Sequence, residues 1–239
     1  MPDTPSISRT EIAAWYNQRY ASKQQKAYRP PAAYSHFLDR AGVEFRPGAR
    51  FLDVGSGQGF LLRAASARGL RASGLDLSYE AVKVSRQTAP DANAVTGVGE
   101  ALPFRAGVFD YLACMGTLEH HLDMAAALRE FARVTAPDAR LVLMVPNRHF
   151  LGYAPLKQKG TAQQAIKETL LSQGEWRALF EDAGLIAQHI GIDDWFLRAP
   201  LDFSRGFANL VRQLLRKIAL AFSPFDRTYA FVFVCKKQQ

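Results

Sequence analysis

The sequence of 239 residues lacks the features that mark a secreted or membrane-spanning protein. Its two cysteines, Cys114 and Cys235, stand far apart in apolar runs, which predicts buried free thiols rather than a disulfide framework. No apolar run reaches the roughly 18 residues that a membrane-spanning helix needs. The N-terminal residues carry early charges and no apolar segment of the kind found in secretory signals. We therefore expect a cytoplasmic protein.

The net charge of +8 raises the question of a nucleic-acid partner, because lysine and arginine bind phosphate backbones. Over most of the chain, however, the basic residues are scattered, which is typical of a solvated surface. The composition therefore favours no nucleic-acid partner.

Short apolar strands alternate with amphipathic helices from about residue 48 onwards. Strands are predicted at 50–55, 71–78, 92–98, 108–115, 140–147, 186–192 and 229–237. Helices are predicted at 59–69, 78–89, with Ser78 as N-cap, 123–135 and 174–184. Strands that alternate with helices of this length are typical of βαβ units. The pattern predicts an α/β fold with a mostly parallel sheet.

The remaining segments are interpreted around this core as parts of one domain, 1–239. Residues 1–47 form a helical arm with helices at 8–26 and 31–41, and residues 48–146 form the core. Residues 147–173 interrupt the pattern and are interpreted as an insertion with a short helix, followed by C-terminal helices and strands at 174–239.

A glycine-rich turn follows the first predicted strand in the stretch "FLDVGSGQGF". Glycines at a strand-to-helix turn allow restricted backbone angles and let a ligand approach the main chain. The spacing of Gly55, Gly57 and Gly59 differs from the G-x-G-x-x-G of dinucleotide-binding folds. Asp53 beside the turn would repel a pyrophosphate but suits a ligand that carries an ammonium group. Asp76, at the end of the second strand, can accept hydrogen bonds from the hydroxyls of a ribose.

Taken together, these motifs resemble those of the class I S-adenosylmethionine-dependent methyltransferases, in particular the small-molecule branch similar to methyltransferase type 11. The resemblance covers residues 48–146, "EWRALFEDAGL" and the final strand. It is carried by "FLDVGSGQG", "GLDLS", "GEALPFRAGVFDYL", "LEHHLD" and "LVLMVPN". It implies a Rossmann-like seven-stranded sheet flanked by helices, with the last strand antiparallel.

The resemblance also implies a cofactor site for S-adenosyl-L-methionine, whose product is S-adenosyl-L-homocysteine. Its methionine half would contact Asp53, Gly55 and Gly57, and its ribose would contact Asp76. Leu77 would pack on the adenine. The remaining residues assigned to the cofactor site are Ser56, Gly99, Glu100 and Met115.

Two departures from the family pattern bear on the site. Val98 stands where many relatives have an aspartate that accepts from the adenine amino group. Gly116 replaces the first glutamate of the S-E-V-x-E-H pattern found in some quinone-pathway O-methyltransferases. Because that change removes one ligand, we expect no metal site.

The segment "MGTLEHHLD", after the fourth strand, provides the candidate catalytic residue. Histidine is the usual base for a hydroxyl or amine nucleophile, and His120 occupies the E-H position of the family. A structural role for Glu119 and His120 in a polar turn is the alternative. Further candidate substrate contacts are Tyr16, Tyr20, His121, Asn147 and Arg148.

An amphipathic helix is predicted at 204–222. Its apolar residues fall on one stripe, made of Phe207, Leu210, Val211, Leu214, Leu215, Ile218 and Phe222. Such a helix can lie on an anionic membrane or cap a sheet or pocket. We favour packing over peripheral membrane contact; in the second case the substrate could be lipid-linked.

The resulting hypothesis is methyl transfer from S-adenosylmethionine to an oxygen or nitrogen of a small molecule. One alternative is a nucleic-acid or protein methyltransferase, although the N-P-P-Y motif common in such enzymes is replaced here by "MGTL". The other is a cofactor-binding partner subunit without its own catalysis. The oligomeric state and the methyl acceptor are left open by the sequence.

Overall fold

The computed structural model describes residues 7–22, 29–153, 166–204 and 206–238. Within them, the strands form one seven-stranded sheet in the order β3-β2-β1-β4-β5-β7-β6. The strands are β1 Arg50–Val54, β2 Arg71–Asp76, β3 Asn93–Thr96, β4 Phe109–Met115, β5 Thr135–Pro146, β6 Leu185–Ile192 and β7 Ala230–Lys237.

The helices flank this sheet and connect its strands. They are α1 Arg9–Ala21, α2 Pro31–Arg40, α3 Phe60–Ser66, α4 Tyr79–Thr88, α5 Met124–Val134, α6 Gln173–Asp182, α7 Trp195–Arg198 and α8 Phe207–Ala221. Leu118–His120 and Phe225–Arg227 form single 3₁₀ turns.

The pairing of the strands confirms the predicted topology. β1 is parallel to β2 and β4, β2 to β3, and β4 to β5. β7 inserts between β5 and β6 and is antiparallel to both. The fold is therefore the expected Rossmann-like seven-stranded sheet with an antiparallel last strand.

Two hydrophobic layers hold the helices on the sheet. On one face, α5 and α6 contribute the fully buried Phe131, Trp176 and Phe180. On the other face, α2 and α3 contribute Phe37 and Leu62, together with residues of α4. Because both faces of the central strands are covered, those strands are apolar almost throughout.

Side-chain caps fix the start of several helices. Ser78 accepts from the backbone N–H of Ala81 at 3.1 Å, as the predicted N-cap of α4. Asp123 caps α5 in the same way, and Ser172 forms a reciprocal capping box with Glu175 on α6.

The structure corrects several predicted boundaries. The first helix ends at Ala21, and Ser22 is extended, so that helix does not continue to residue 26; residues 23–26 lie outside the described residues. β5 begins at Thr135, five residues earlier than predicted, because Thr135 pairs with Phe109 of β4. The short helix expected at 147–173 is absent from the described parts of that segment, and 154–165 lie outside them.

α8 differs from the expectation that its apolar stripe packs against the domain. Phe207, Leu215, Ile218 and Phe222 are more than half exposed. The expectation of packing is wrong for these residues, because α8 is held to the domain by another side of the helix. Across the described ranges, no helix combines the length and apolarity needed to cross a bilayer.

Candidate active site

A cavity of about 220 Å³ lies at the carboxyl ends of β1, β2, β4 and β5. This is the edge where ligands bind in open parallel sheets. The predicted cofactor residues all line it: Asp53, Gly55, Ser56, Gly57, Asp76, Leu77, Gly99, Glu100 and Met115. The predicted base His120, together with His121, Tyr16 and Tyr20, lines the same cavity.

The glycine-rich turn forms the floor of the cavity. Gly55 has φ 78°, and a side chain there would run into Thr117, whose hydroxyl donates to the carbonyl of Val54 at 3.0 Å. At Gly57, with φ 49°, an added Cβ would stand 3.0 Å from the hydroxyl oxygen of Tyr20. Glycine at both positions therefore allows the left-handed backbone and a close approach from above.

The Asp76 carboxylate is positioned by two backbone N–H groups. Gly57 donates to Oδ2 and Ser78 to Oδ1, each at 2.8 Å. Burial raises the pKa of Asp76 to about 6, although both hydrogen bonds act in the opposite direction. Each oxygen keeps a further lone pair, so the carboxylate can still accept from two neighbouring hydroxyls.

Asp53 is buried at the end of β1 with 2% of its surface exposed. Burial, and then the neighbouring Asp76, raise the pKa of Asp53 to about 8. A buried carboxyl of this kind favours a cationic ligand, because such a ligand stabilises the ionised form.

Glu100 and His121 shape another part of the cavity wall. Glu100 accepts from the N–H of Leu122 at 3.0 Å and lies 3.6 Å from the guanidinium of Arg9. The imidazole of His121 donates from Nδ1 to the carbonyl of Thr117 at 2.9 Å and leaves no room for a side chain at Gly99. His121 therefore lies beside Gly99, in the cavity wall that Glu100 also lines, and its role as a substrate contact stays a prediction.

Glu119 and His120 form a buried pair on the 3₁₀ turn after β4. His120 donates from Nδ1 to the carbonyl of Lys167 at 2.7 Å, which leaves a lone pair on Nε2. Among the described residues, neither His120 Nε2 nor Glu119 Oε2 has a hydrogen-bond partner. Nε2 lies 3.9 Å from Oε1 of Glu119.

The protonation states of this pair suit proton transfer. Burial raises the pKa of Glu119 to about 8, so it is mainly protonated at neutral pH. Burial lowers the pKa of His120, although the Lys167 carbonyl acts in the opposite direction. At neutral pH the imidazole is therefore uncharged, with Nε2 free to accept a proton.

The helical arm closes the cavity from above. Tyr16 and Tyr20 of α1 stack with ring centroids 6.3 Å apart, and both line the cavity. The side-chain oxygen of Asn17 accepts from the hydroxyl of Ser78 at 2.7 Å and the N–H of Glu80 at 3.3 Å. These bonds anchor α1 to the start of α4.

Arg29 is a cavity residue that the sequence did not reveal. Its Nη2 donates to Asp193 at 2.6 Å, and its buried Nη1 has no hydrogen-bond partner among the residues that the structure describes. Although burial would lower the pKa of Arg29, Asp193 keeps it above its usual value. Tyr34 and Tyr229 line the same region. No motif singles out Arg29 among the chain's many arginines.

Asn147 and Arg148 do not reach the cavity, contrary to the expectation that they face the substrate. The Asn147 amide donates to the carbonyls of Asp226 and Thr228, both at 2.8 Å, and accepts from the N–H of His149. Arg148 pairs with Glu175 at 3.0 Å. The Asn147 side chain joins two loops, because β5 ends beside the start of β7. Arg148 joins the loop after β5 to α6.

The charged groups of the site offer no obvious metal cage. Within the described ranges, no cluster of three or more His, Cys, Asp or Glu side chains is arranged to hold a metal ion. Gly116, with φ 67°, stands beside Glu119 without contributing a ligand.

Comparison with known proteins identifies the core of the chain. Residues 52–143 match the family described as "Methyltransferase domain". A ubiquinone biosynthesis O-methyltransferase of Xanthomonas campestris pv. campestris (strain B100) is 36% identical over 107 residues, 43% of this chain and 45% of that relative. The chain thus matches less than half the length of this curated relative.

Two solved structures share the fold over nearly the whole chain. A Haloferax volcanii methyltransferase in complex with the Trm112 methyltransferase activator has a TM-score of 0.69 at 22% identity and covers 98% of this chain and 100% of that chain. Haemonchus contortus phosphoethanolamine N-methyltransferase 2, in complex with S-adenosyl-L-methionine, has a TM-score of 0.62 at 16% identity and covers 99% and 59%. Residues 52–143 therefore match the methyltransferase family that the motifs predict, and the chain as a whole shares its fold with methyltransferases of known structure.

Proposed function

We propose that this protein transfers the methyl group of S-adenosyl-L-methionine to an oxygen or nitrogen of a small molecule, leaving S-adenosyl-L-homocysteine. The observation that carries the proposal is a single cavity that joins two sets of groups. One set, with Asp53, Gly57 and Asp76, suits the cofactor. The other contains Nε2 of His120, which has no hydrogen-bond partner in the part of the chain that the structure describes.

The residues present fit the cofactor group by group. Asp76 holds the ribose hydroxyls, because its two oxygens are fixed by backbone N–H groups and keep free lone pairs. Asp53 attracts the ammonium of the amino-acid half. The free Nη1 of Arg29 suits the carboxylate of that half, since a guanidinium prefers an ionised oxygen partner. Leu77, Gly99 and Glu100 border the adenine.

When bound, the cofactor supplies an electrophilic methyl group on a positively charged sulfur. The protein's contribution is position and proton removal. His120 accepts the proton of the nucleophile on Nε2, while the Lys167 carbonyl holds Nδ1–H and fixes the ring. Oε1 of Glu119 lies 3.9 Å from Nε2, so this carboxyl group faces the imidazolium that forms when His120 takes the proton.

An oxygen acceptor is the better supported of the two. The relative from Xanthomonas campestris carries the name of an O-methyltransferase, and neutral histidine is well matched to an acidic hydroxyl. A lipid-linked acceptor is consistent with the apolar aromatic side chains Tyr16, Tyr20 and Tyr229 around the cavity.

The proposal is tested by cofactor binding and by turnover. Calorimetry should detect binding of S-adenosyl-L-homocysteine to the wild type and at least tenfold weaker binding to Asp76→Ala. Asp91→Ala is the matched control, because Asp91 is exposed and away from the cavity. Equal affinity in all three proteins would overturn the ribose assignment.

Turnover is measured with cofactor labelled at the methyl group and pooled metabolites and lipid extracts as acceptors. His120→Ala should lower the rate at least a hundredfold with unchanged cofactor affinity, because only the proton acceptor is lost. Full activity of this variant would show that His120 is structural. Cofactor binding without transfer to any pool would favour a partner subunit without catalysis.

A further inference from the structure

Helix α8 turns an apolar face to the solvent. Its exposed residues, here called the apolar strip, are Phe207 at 80%, Leu214 at 42%, Leu215 at 61%, Ile218 at 54% and Phe222 at 85% exposure. At 3.6 residues per turn they fall within an arc of about 100°. Exposed aromatic and aliphatic side chains in one continuous row are uncommon on a free surface and mark a site of contact.

The apolar strip is not needed to hold α8 in place. The ammonium of Lys217 donates to the carbonyls of Leu197 and Ala199 at 2.5 and 2.6 Å. The side chain of Gln213 bonds both the N–H and the carbonyl of Asp202. These contacts lie on another side of the helix, so α8 is anchored through polar groups and its apolar side is left for another surface.

The surroundings of the strip are basic. Residues 198–227 contain six lysines or arginines against two aspartates, so about an eighth of the chain carries half of the net charge of +8. Arg212 is exposed on α8 next to the strip. The side chains of Arg198 and Arg227 are 57% and 46% exposed, and they pair with Asp194 at 2.6 Å and with Asp226 at 3.6 Å. The charge therefore complements an anionic surface.

The apolar surface continues at both ends of α8. Phe203, before the helix, is 71% exposed, and Phe225, after it, is 44% exposed. A single convex helix with an apolar row and arginines beside it has the form of helices that lie in a membrane interface. A groove on a partner protein would cover only part of the apolar surface from Phe203 to Phe225, whereas a bilayer can contact all of it.

We propose that α8 docks this protein on an anionic lipid bilayer. The apolar strip enters the boundary between headgroups and acyl chains, while Arg212 binds a lipid phosphate. The segment after α8 leads through Phe225–Arg227 to Tyr229 and Ala230, which line the cavity. Docking therefore places the bilayer close in sequence to Tyr229 and Ala230, which form one wall of the cavity. This inference goes beyond methyl transfer and does not depend on it.

Sedimentation with vesicles tests the proposal on the full chain. The wild type should bind vesicles of phosphatidylcholine with phosphatidylglycerol at least tenfold more strongly than vesicles of phosphatidylcholine alone. Leu215→Gln/Ile218→Gln should bind the vesicles with phosphatidylglycerol at least tenfold more weakly than the wild type. Arg212→Gln should lose less affinity, and its binding should depend less on salt concentration. Ala219→Gln is the matched control, because Ala219 is exposed on α8 outside the strip.

Thermal melting and binding of S-adenosyl-L-homocysteine must be the same in all four proteins, which shows that the variants fold. The proposal is overturned if Leu215→Gln/Ile218→Gln binds the anionic vesicles as strongly as the wild type does. It is also overturned by a dimer of the wild type, seen by light scattering without lipid, that this double variant converts to monomer, since the strip would then join two copies of the chain.

Discussion

The buried carboxyl of Asp53 links the chemistry of the site to the stability of the fold. The folded state binds the proton of this group more tightly than the unfolded chain does, because the pKa rises from its ordinary value to about 8. Stability supplied by the protonated form is therefore lost as pH rises from about 4 to about 8. A cationic ligand recovers part of that cost by favouring the ionised carboxyl.

Replacing Asp53 by asparagine should separate these two effects. Asp53→Asn should be more stable than the wild type, by a margin that grows between pH 4 and pH 8, because the amide cannot ionise. The same variant should bind S-adenosyl-L-homocysteine at least tenfold more weakly at pH 8. Thermal melting and calorimetry over this pH range measure both quantities.

Asp91→Asn serves as the control, since Asp91 is exposed on the surface. A margin that stays constant with pH would show that Asp53 is not held protonated in the folded state. Unchanged affinity would show that the carboxyl does not contact the cofactor.

Local sequence was enough to predict that Asp53, Asp76, Gly55 and Gly57 lie together, because their spacing defines a strand, a turn and a second strand, and all four line the cavity. It could not supply the partner of His120, since the carbonyl of Lys167 is brought there by a segment 47 residues away. Asn147 was misjudged for the same reason. Its amide is used by the carbonyls of Asp226 and Thr228, which only the folded chain brings near.

At the scale of elements, a charged pair on α5 secures the loop that follows Gly99 and Glu100. Glu130 accepts from the N–H of Leu102 at 2.7 Å and pairs with Arg133 at 2.6 Å. Arg133 in turn donates to the carbonyls of Leu102 and Phe104. The loop at one wall of the cavity is thus fastened to a helix of the core.

Glu130→Ala should lower the free energy of unfolding by about 1–2 kcal/mol, because the N–H of Leu102 loses its acceptor and Arg133 its orientation. Cofactor affinity should fall a few-fold as the loop loosens. Urea denaturation and calorimetry provide the measurements.

The control is Glu181→Ala, which removes a helical ion pair with Arg177 whose two side chains are about half exposed. That loss should stay below about 0.5 kcal/mol. If both variants lost the same amount, the bond to the loop would contribute nothing beyond a surface pair.

A helix or strand could be predicted where its own residues favour that secondary structure. β1 and β4 are apolar runs between turns, and both were predicted to within a residue or so. The residues of β5 from Thr135 to Ala139 include a proline and an aspartate, and among them only Thr135 pairs with β4, before a register shift that leads to Arg140. The four-residue α7 is too short to give a helical period.

At the scale of the whole molecule, the arm and the sheet enclose the cavity together. α1 packs against α4 and has a single buried residue, Ile12, among those described. A helix with so little buried apolar surface opens readily, so ligand contacts from below should contribute much of its order.

Hydrogen exchange should therefore slow in α1 when S-adenosyl-L-homocysteine is added. The matched reference is α6, which packs on one face of the sheet and does not line the cavity. Its exchange should stay the same. Equal exchange in α1 with and without the ligand would show that the arm does not cover the bound cofactor.

The position of β7 has a consequence for how the protein is made. Among the described residues, β6 pairs with β7 alone, and 37 residues lie between Ile192 at the end of β6 and Ala230 at the start of β7. During synthesis, five strands can assemble while β6 still has an open edge and no neighbour. The wall formed by Tyr229 and Ala230 is added only when β7 enters the gap. A nascent chain therefore acquires the glycine turn early and a closed cavity last.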